Sequence, residues 1–202
     1  MSNGDRSWRW APMVTVIALV AVEATGQRSA EIGEESPGLA ALSPAAQRVI
    51  DRSLGELGVV RKWTTSVGVR LHGTTTSEAR QQLQSLLERF RRAAPALDLE
   101  AGSGKADINI YLLKRDEFSG YDSRARGEPA LTRVWADGAR LRRCRVLIDS
   151  SLPARKRGHL MRIELLRCLG LTVEVGSPEV IDEVLAYWYQ PALEPGARGG
   201  RQ

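Results

Sequence analysis

The 202-residue chain predicts an α+β fold, and two kinds of pattern carry that prediction. Apolar residues alternate with a period of two at Trp63–Leu71, Ala106–Leu113 and Cys144–Asp149, as in half-buried strands. Helical spacing of apolar residues marks the stretches from Ser43, from Thr75, over 155–169 and from Ser177. Helices and strands alternate early without an internal repeat, as expected for one domain with helices packed on a mixed sheet.

At the N-terminus, Arg6 and Arg9 precede an apolar run from Ala11 to Val22 that Glu23 ends. Val22 and Ala24, or Ala24 and Gly26, offer small residues at the −3 and −1 positions of a cleavage site. A basic start, a short apolar core and a small-residue exit describe a secretory signal peptide, here residues 1–24. A membrane span needs ~20 apolar residues, more than this run holds, so no span is expected in the mature chain. No Cys follows the run, so lipoprotein processing is not indicated. The mature protein, about 178 residues and enough for one sizeable core, is expected in the periplasm or outside the cell.

Residues 25–42 are rich in Gly, Ser, Glu and Pro and read as a flexible lead-in. Ser43 and Pro44 form an N-cap and first-turn proline, opening a helix to about Leu57 in which Ala46, Val49, Ile50 and Leu54 share a stripe. The strand from Trp63 turns Val67, Val69 and Leu71 to one face. Thr75 with Glu78 has the spacing of a capping box and leads into the clearest amphipathic helix, with Ala79, Leu83, Leu86, Leu87 and Phe90 on one side. A short strand is expected at Leu97–Ala101 and a stronger one at Ala106–Leu113, where Ile108, Ile110 and Leu112 alternate. Phe118–Gly138 mixes Gly, Pro and charge, predicting a long loop that can include a short strand at Leu131–Trp135. Cys144–Asp149 is the next strand, followed by the 155–169 helix and a last helix from Ser177-Pro178 to about Tyr189. The domain is expected over 43–195, with 196–202 as a frayed tail.

The formal net charge is +5, and losing Asp5, Arg6, Arg9 and Glu23 with the leader leaves it unchanged. Arg140, Arg142, Arg143 and Arg145 lie close together, with Arg155, Lys156 and Arg157 shortly after. Such clusters can hold a polyanion, but no aromatics interleave with them as in single-strand binders. Solvated basic faces are the simpler expectation.

Cys144 and Cys168 are the only cysteines, and in an exported chain pairing is the expected fate. The strand from Cys144 extends ~17–20 Å and the helix ending near Cys168 ~20 Å. A helix doubling back along that strand brings both sulfurs to one end. The bridge would contribute roughly 3–4 kcal/mol by chain entropy. The other reading is two separate buried thiols.

Residues 159–171 are apolar almost all round a helical wheel, so this helix should be buried. Glu164 and Arg167 are its polar exceptions, three apart and on one side, and a buried charge needs a partner. They are expected to form a buried pair.

From Ile163 to Val173 the chain has the frame of a zinc-protease helix, H-E-x-x-H-x-x-G-x-x-H, with Glu164 and Gly170 kept. Ile163, Arg167 and Val173 stand at the three ligand positions and offer no lone pair to zinc. The order strand, turn, buried helix, glycine stop is that of the zincin active-site region. Lys62-Trp63, Ala106–Ile110, Arg145–Ile148, the helix ending Cys168-Leu169-Gly170-Leu171, and the closing stretch Asp182–Pro191 with Glu194-Pro195-Gly196 carry a wider likeness. On these residues, from about Trp63 to Gly196, the chain resembles a family of uncharacterised, mainly bacterial secreted proteins of zincin-like character. Where that family usually has Gln and then Asn-Asp, this chain has Arg167 and Thr172-Val173. The resemblance implies a zincin-like fold and hardly implies an activity.

Other chemistry is thinly represented. The histidines are His72, expected at a strand-end surface, and His159, in the first turn of the buried helix. His159, Glu164 and Asp149 can be drawn as a metal set. Ser150 or Ser151 with His159 and Asp149 matches a catalytic triad in composition only, without a Gly-x-Ser-x-Gly elbow. Gly102-Ser103-Gly104-Lys105 lacks Walker spacing. The leading expectation is a secreted, catalytically silent zincin-like domain that binds or has a structural role in the cell envelope, with no cofactor. One rival is a hydrolase with a non-standard site at Glu164. Another is a polyanion-binding module using the arginine clusters.

Overall fold

The computed structural model describes residues 38–102, 106–172 and 177–198, all within the compact unit Glu35–Gln202. The expected signal peptide, most of the expected lead-in, Val173 and the last tail residues lie outside the described residues. Helix α1 (Pro44–Leu57) leads into strand β1 (Val67–Gly73), helix α2 (Ser77–Ala93) and strands β2 (Leu99–Ala101) and β3 (Ile108–Leu113). A short helix α3 (Phe118–Tyr121), strands β4 (Ala130–Asp137) and β5 (Arg140–Asp149), and helices α4 (Ala154–Cys168) and α5 (Pro178–Trp188) complete the order. The fold is therefore α+β, as the periodicities predict.

The strands form a five-stranded sheet in the order β2-β1-β3-β5-β4. The pairs β1–β2, β1–β3 and β3–β5 are parallel, and β4 is an antiparallel edge. On one face, Val67, Val69, Ile108, Ile110, Leu112, Cys144, Val146 and Ile148 enter a single core. Helices α1, α2, α4 and α5 supply its other side, through residues such as Ile50, Leu87, Leu166 and Trp188. The opposite face has a small satellite cluster of Leu113, Phe118 and Leu147, with Tyr111, Ala125 and Leu131 packed against it. Beyond that cluster this face carries arginines.

Several boundaries differ from the sequence expectation. Strand β1 begins at Val67 rather than Trp63, because Lys62 instead bridges to Arg140 at the start of β5. The cap of α2 is Thr76, whose Oγ1 accepts from the Ala79 N–H at 3.1 Å, not Thr75, whose hydroxyl accepts from Arg80. The lead-in ends earlier than expected: Leu39–Ala41 form a 3-10 turn, Leu42 is buried, and the Gln47 amide caps the carbonyls of Leu39 and Leu42. The tail is not frayed at its start, since Gly196 N–H bonds Val60 O and Val60 N–H bonds Ala197 O.

The largest correction is in Phe118–Gly138, which is not mainly a long loop: it holds α3, and the short strand expected at Leu131–Trp135 is the middle of the longer β4. An edge strand with one face partly in water shows no apolar alternation strong enough to read. The turn chemistry was the available signal: Asp137-Gly138 is a hairpin dipeptide, and Asp137 pairs with Arg140 across it, with Gly138 at φ +57°.

Candidate functional site

Helix α4 is buried as its composition predicts, with Met161, Ile163, Glu164, Leu165, Leu166 and Cys168 inside. Its end is closed by several independent contacts. Gly170, at φ +89°, follows the C-cap; its N–H bonds Arg167 O, and Leu171 N–H reaches back to Leu166 O. This is a Schellman ending. The next carbonyls are met by side chains: the Trp63 indole donates to Cys168 O at 2.8 Å, and the Tyr189 hydroxyl to Leu169 O at 2.8 Å. Burial pushes the Tyr189 phenol pKa up, which keeps it a neutral donor. The Trp188 indole bonds Arg61 O at 3.0 Å, and a Cβ on residue 170 would overlap that same carbonyl. The glycine of the frame is thus required by packing as well as by φ.

One turn earlier, Arg167 Nη1 donates to Glu164 Oε1 at 2.7 Å and to Oε2 at 2.9 Å. The pair exists, but it is buried on one side only. Glu164 is 3% exposed while Arg167 is 43% exposed. The guanidinium on its long stem keeps one edge in water and sits in the last turn, where the helix dipole favours a cation.

The ligand positions do not fit zinc. Ile163 is hydrocarbon turned into the protein, Arg167 is a cation already committed to Glu164, and Val173 lies outside the described residues. Among the described residues no group of three His, Cys, Asp or Glu side chains is placed to hold a metal, so His159, Glu164 and Asp149 are not assembled into one.

The triad drawn from composition is not assembled either. Asp149 is buried, and its carboxylate accepts from the Ser151 N–H and hydroxyl (3.0 and 2.6 Å) and from Arg115 (3.1 Å). Burial alone would raise its pKa, but the Ser151 and Arg115 bonds outweigh that and hold it below the usual carboxylate value. It pins the turn after β5. His159 is exposed, with Nδ1 3.1 Å from Arg162. His72 is not a plain surface residue: its Nε2 meets Asn109 Oδ1 at 2.8 Å, and its ring stacks on Tyr111 at 4.5 Å. Neighbouring Asp107 accepts from Gly68 N–H, so the Ala106–Ile110 motif locks β3 to β1.

Cys144 and Cys168 form a disulfide with Cα atoms 5.6 Å apart, joining β5 to the end of α4. A cavity of ≈350 Å³ lies near that end of α4 and includes Lys62, Thr64, Ser66, Asp98, Tyr189 and Glu194 in its wall. It takes in neither Glu164 nor Arg167. Lys62 donates there to the carbonyls of Gln190 and Leu193. Burial lowers its pKa and Glu194 partly offsets that.

The basic cluster on β5 is split by a bulge. Trp135 pairs with Arg143 and Ala136 with Leu141, leaving Arg142 as the extra residue. Leu141 thereby joins the core, and Arg142 pairs with Asp137 at 3.2 Å. Arg143 and Arg145 instead turn to the face that carries only the short helix α3, where Arg145 donates to the Tyr121 carbonyl. There Arg143, Arg145 and Arg133 all gather on Trp135, with guanidinium carbons 5.2, 5.5 and 5.0 Å from the ring. An aromatic is therefore interleaved with these arginines after all. It comes from β4, which is why the linear sequence hides it. Asp122 beside them is held at a pKa of about 2, first by the Arg124 side chain and backbone and then by Arg133. Elsewhere, Arg157 is tied to the carbonyls of Ser150 and Leu152, while Arg155 and Lys156 are exposed.

Comparison of the chain with family models, curated proteins and solved structures gives no match.

Proposed function

We propose that this protein is an exported, catalytically silent domain of zincin-like character that acts by binding or as a structural part of the cell envelope. One observation carries the reading: Arg167 occupies a ligand position of the α4 frame and closes on both oxygens of Glu164. A guanidinium donates no lone pair and repels a cation. It also holds the carboxylate that a hydrolase built on Glu164 would need free for water. The order β5, turn, buried α4, Gly170 supports the zincin resemblance. The signal-like leader and the Cys144–Cys168 disulfide support export, because disulfides persist in oxidising compartments. Among the described residues no helix is long and apolar enough to cross a membrane.

The test is elemental analysis of the mature protein purified without chelator, alongside a peptidase assay with and without added zinc. The expected result is substoichiometric zinc and no zinc-dependent cleavage. One tightly held equivalent of zinc, or cleavage lost in Glu164→Gln, would overturn the proposal.

A further inference from the structure

The face of the sheet opposite the four long helices, covered only in part by α3, concentrates like charge in a way that stability alone disfavours. Arg133 and Arg145 are directly opposite in the β4–β5 register, and Trp135 is opposite Arg143. Like charges directly opposite on a sheet are destabilising. Trp135 offsets part of this, since its π face attracts each guanidinium. Among the described residues Asp122 offsets Arg133 in part, and no carboxylate is paired with Arg143 or Arg145. Asp122 is engaged bidentately by Arg124 and reaches Arg133 only at 3.6 Å, and Asp107 is bonded to the Gly68 N–H. Glu100 lies at the far edge, paired in register with Gly68. Across the sheet the row continues from Arg133 and Arg145 through Asn109 to Arg70. With strands 4.7–4.9 Å apart, four such positions span roughly 14 Å.

We propose that this face binds a linear acidic polysaccharide, with Arg133, Arg143 and Arg145 contacting its sulfate or carboxylate groups and Trp135 holding the three guanidiniums in position. The charge pattern is complementary to a polymer with an anion on every one or two sugars, and arginine's planar fork suits such oxyanions. The aromatics argue against an unstacked nucleic acid as the ligand. Trp135 is already covered by guanidiniums, and Tyr111 is stacked on His72 and meets Tyr121 at 4.9 Å. Base stacking needs free ring faces. The surface offers N–H donors instead. The inference is independent of whether the α4 frame is catalytic.

The test is binding of a size-defined heparin oligosaccharide to the mature, disulfide-intact protein over a range of salt. Arg133→Gln with Arg143→Gln leaves Arg124 on Asp122 and should weaken binding by about tenfold or more, with a flatter salt dependence. Trp135→Leu keeps every charge and should still weaken binding roughly threefold, the size of a lost cation–π contact. Arg155→Gln with Lys156→Gln removes the same charge from the exposed start of α4 and should change affinity less than about twofold. Circular dichroism and a thermal melt check that each variant is folded. If the α4 control weakens binding as much as the sheet double variant, only net charge is at work and the site is refuted. Absence of heparin binding at low salt refutes it too. A charge-matched single-stranded oligonucleotide that outcompetes heparin would reassign the face to nucleic acid and overturn the polysaccharide proposal.

Discussion

On the helix-covered side of β5, Cys144, Val146 and Ile148 are fully buried, and Cys144 is bonded covalently to the end of α4. On the other side of the same strand, Arg143 and Arg145 crowd one tryptophan in partial contact with water. Near α4's end the buried carbonyls of Cys168 and Leu169 are met by Trp63 and Tyr189, and the Trp188 indole bonds the Arg61 carbonyl. On the open face a repulsive pair is retained. The difference teaches where substitutions should act. Changes on the covered side should lower stability, and changes on the open side should leave stability nearly alone and alter what the surface attracts.

The largest loss is expected from opening the disulfide. It closes a loop with a sequence separation of 24, and the chain-entropy relation gives about 3.5 kcal/mol for a loop of that length. Denaturant melts of Cys144→Ala with Cys168→Ala against the oxidised protein measure it. A loss below about 1 kcal/mol would mean that the covered side does not depend on the cross-link. Next is Gly170→Ala, which places a Cβ on the Arg61 carbonyl in a backbone region that disfavours side chains. Strain of this kind costs on the order of 3 kcal/mol. The same melts check it, and an unchanged midpoint would show that the segment near Arg61 moves freely.

The Glu164–Arg167 pair falls between the two regions, because one partner is buried and the other half in water. Arg167→Leu leaves a carboxylate buried without its only described side-chain partner. The full cost of breaking a buried pair is ~3–5 kcal/mol; discounted for the exposed guanidinium, about 1–3 kcal/mol is expected. Adding Glu164→Gln should recover most of it, and a double-mutant cycle reads the coupling. No recovery in the double variant would mean that Arg167 acts through packing of its stem rather than through charge.

The fold was legible where burial is one-sided and complete. Val67, Val69, Ile108, Ile110 and Val146 announce their strands, and the 155–169 stretch announces a buried helix, because a uniform environment imposes a uniform pattern. The disulfide was also readable from strand and helix lengths. Strand β4 was legible only as a short strand at Leu131–Trp135 within an expected loop, since Arg133, Trp135 and Asp137 answer to an edge, a turn and a charged surface instead of a core. The site suffered in the same way. Glu164 and Arg167 could be paired from i,i+3 spacing, but the half-exposure of Arg167 depends on which elements pack beside α4. The arginine cluster was visible as composition, whereas its split by the bulge and its assembly on Trp135 arise only when β4 pairs with β5. Long-range pairing is the information that local periodicity lacks.

The smallest effect, and the sharpest test of the contrast, is expected for Arg143→Thr. Arg143 faces Trp135 across the β4–β5 pair and shares that ring with two other guanidiniums. Removing it loses a cation–π contact of ~0.5–1 kcal/mol but relieves repulsion of roughly the same size, and threonine suits a strand position. The net change in stability should lie within about 0.5 kcal/mol of zero. Salt sharpens the prediction, because screening weakens repulsion between exposed charges. Raising ionic strength should therefore stabilise the original protein more than the variant, so the gap between their melting midpoints shifts in a known direction. A loss above about 1.5 kcal/mol, insensitive to salt, would show that Arg143 anchors the face as the disulfide anchors the other side. The two sides of β5 would then follow one rule, and the open face would be structural.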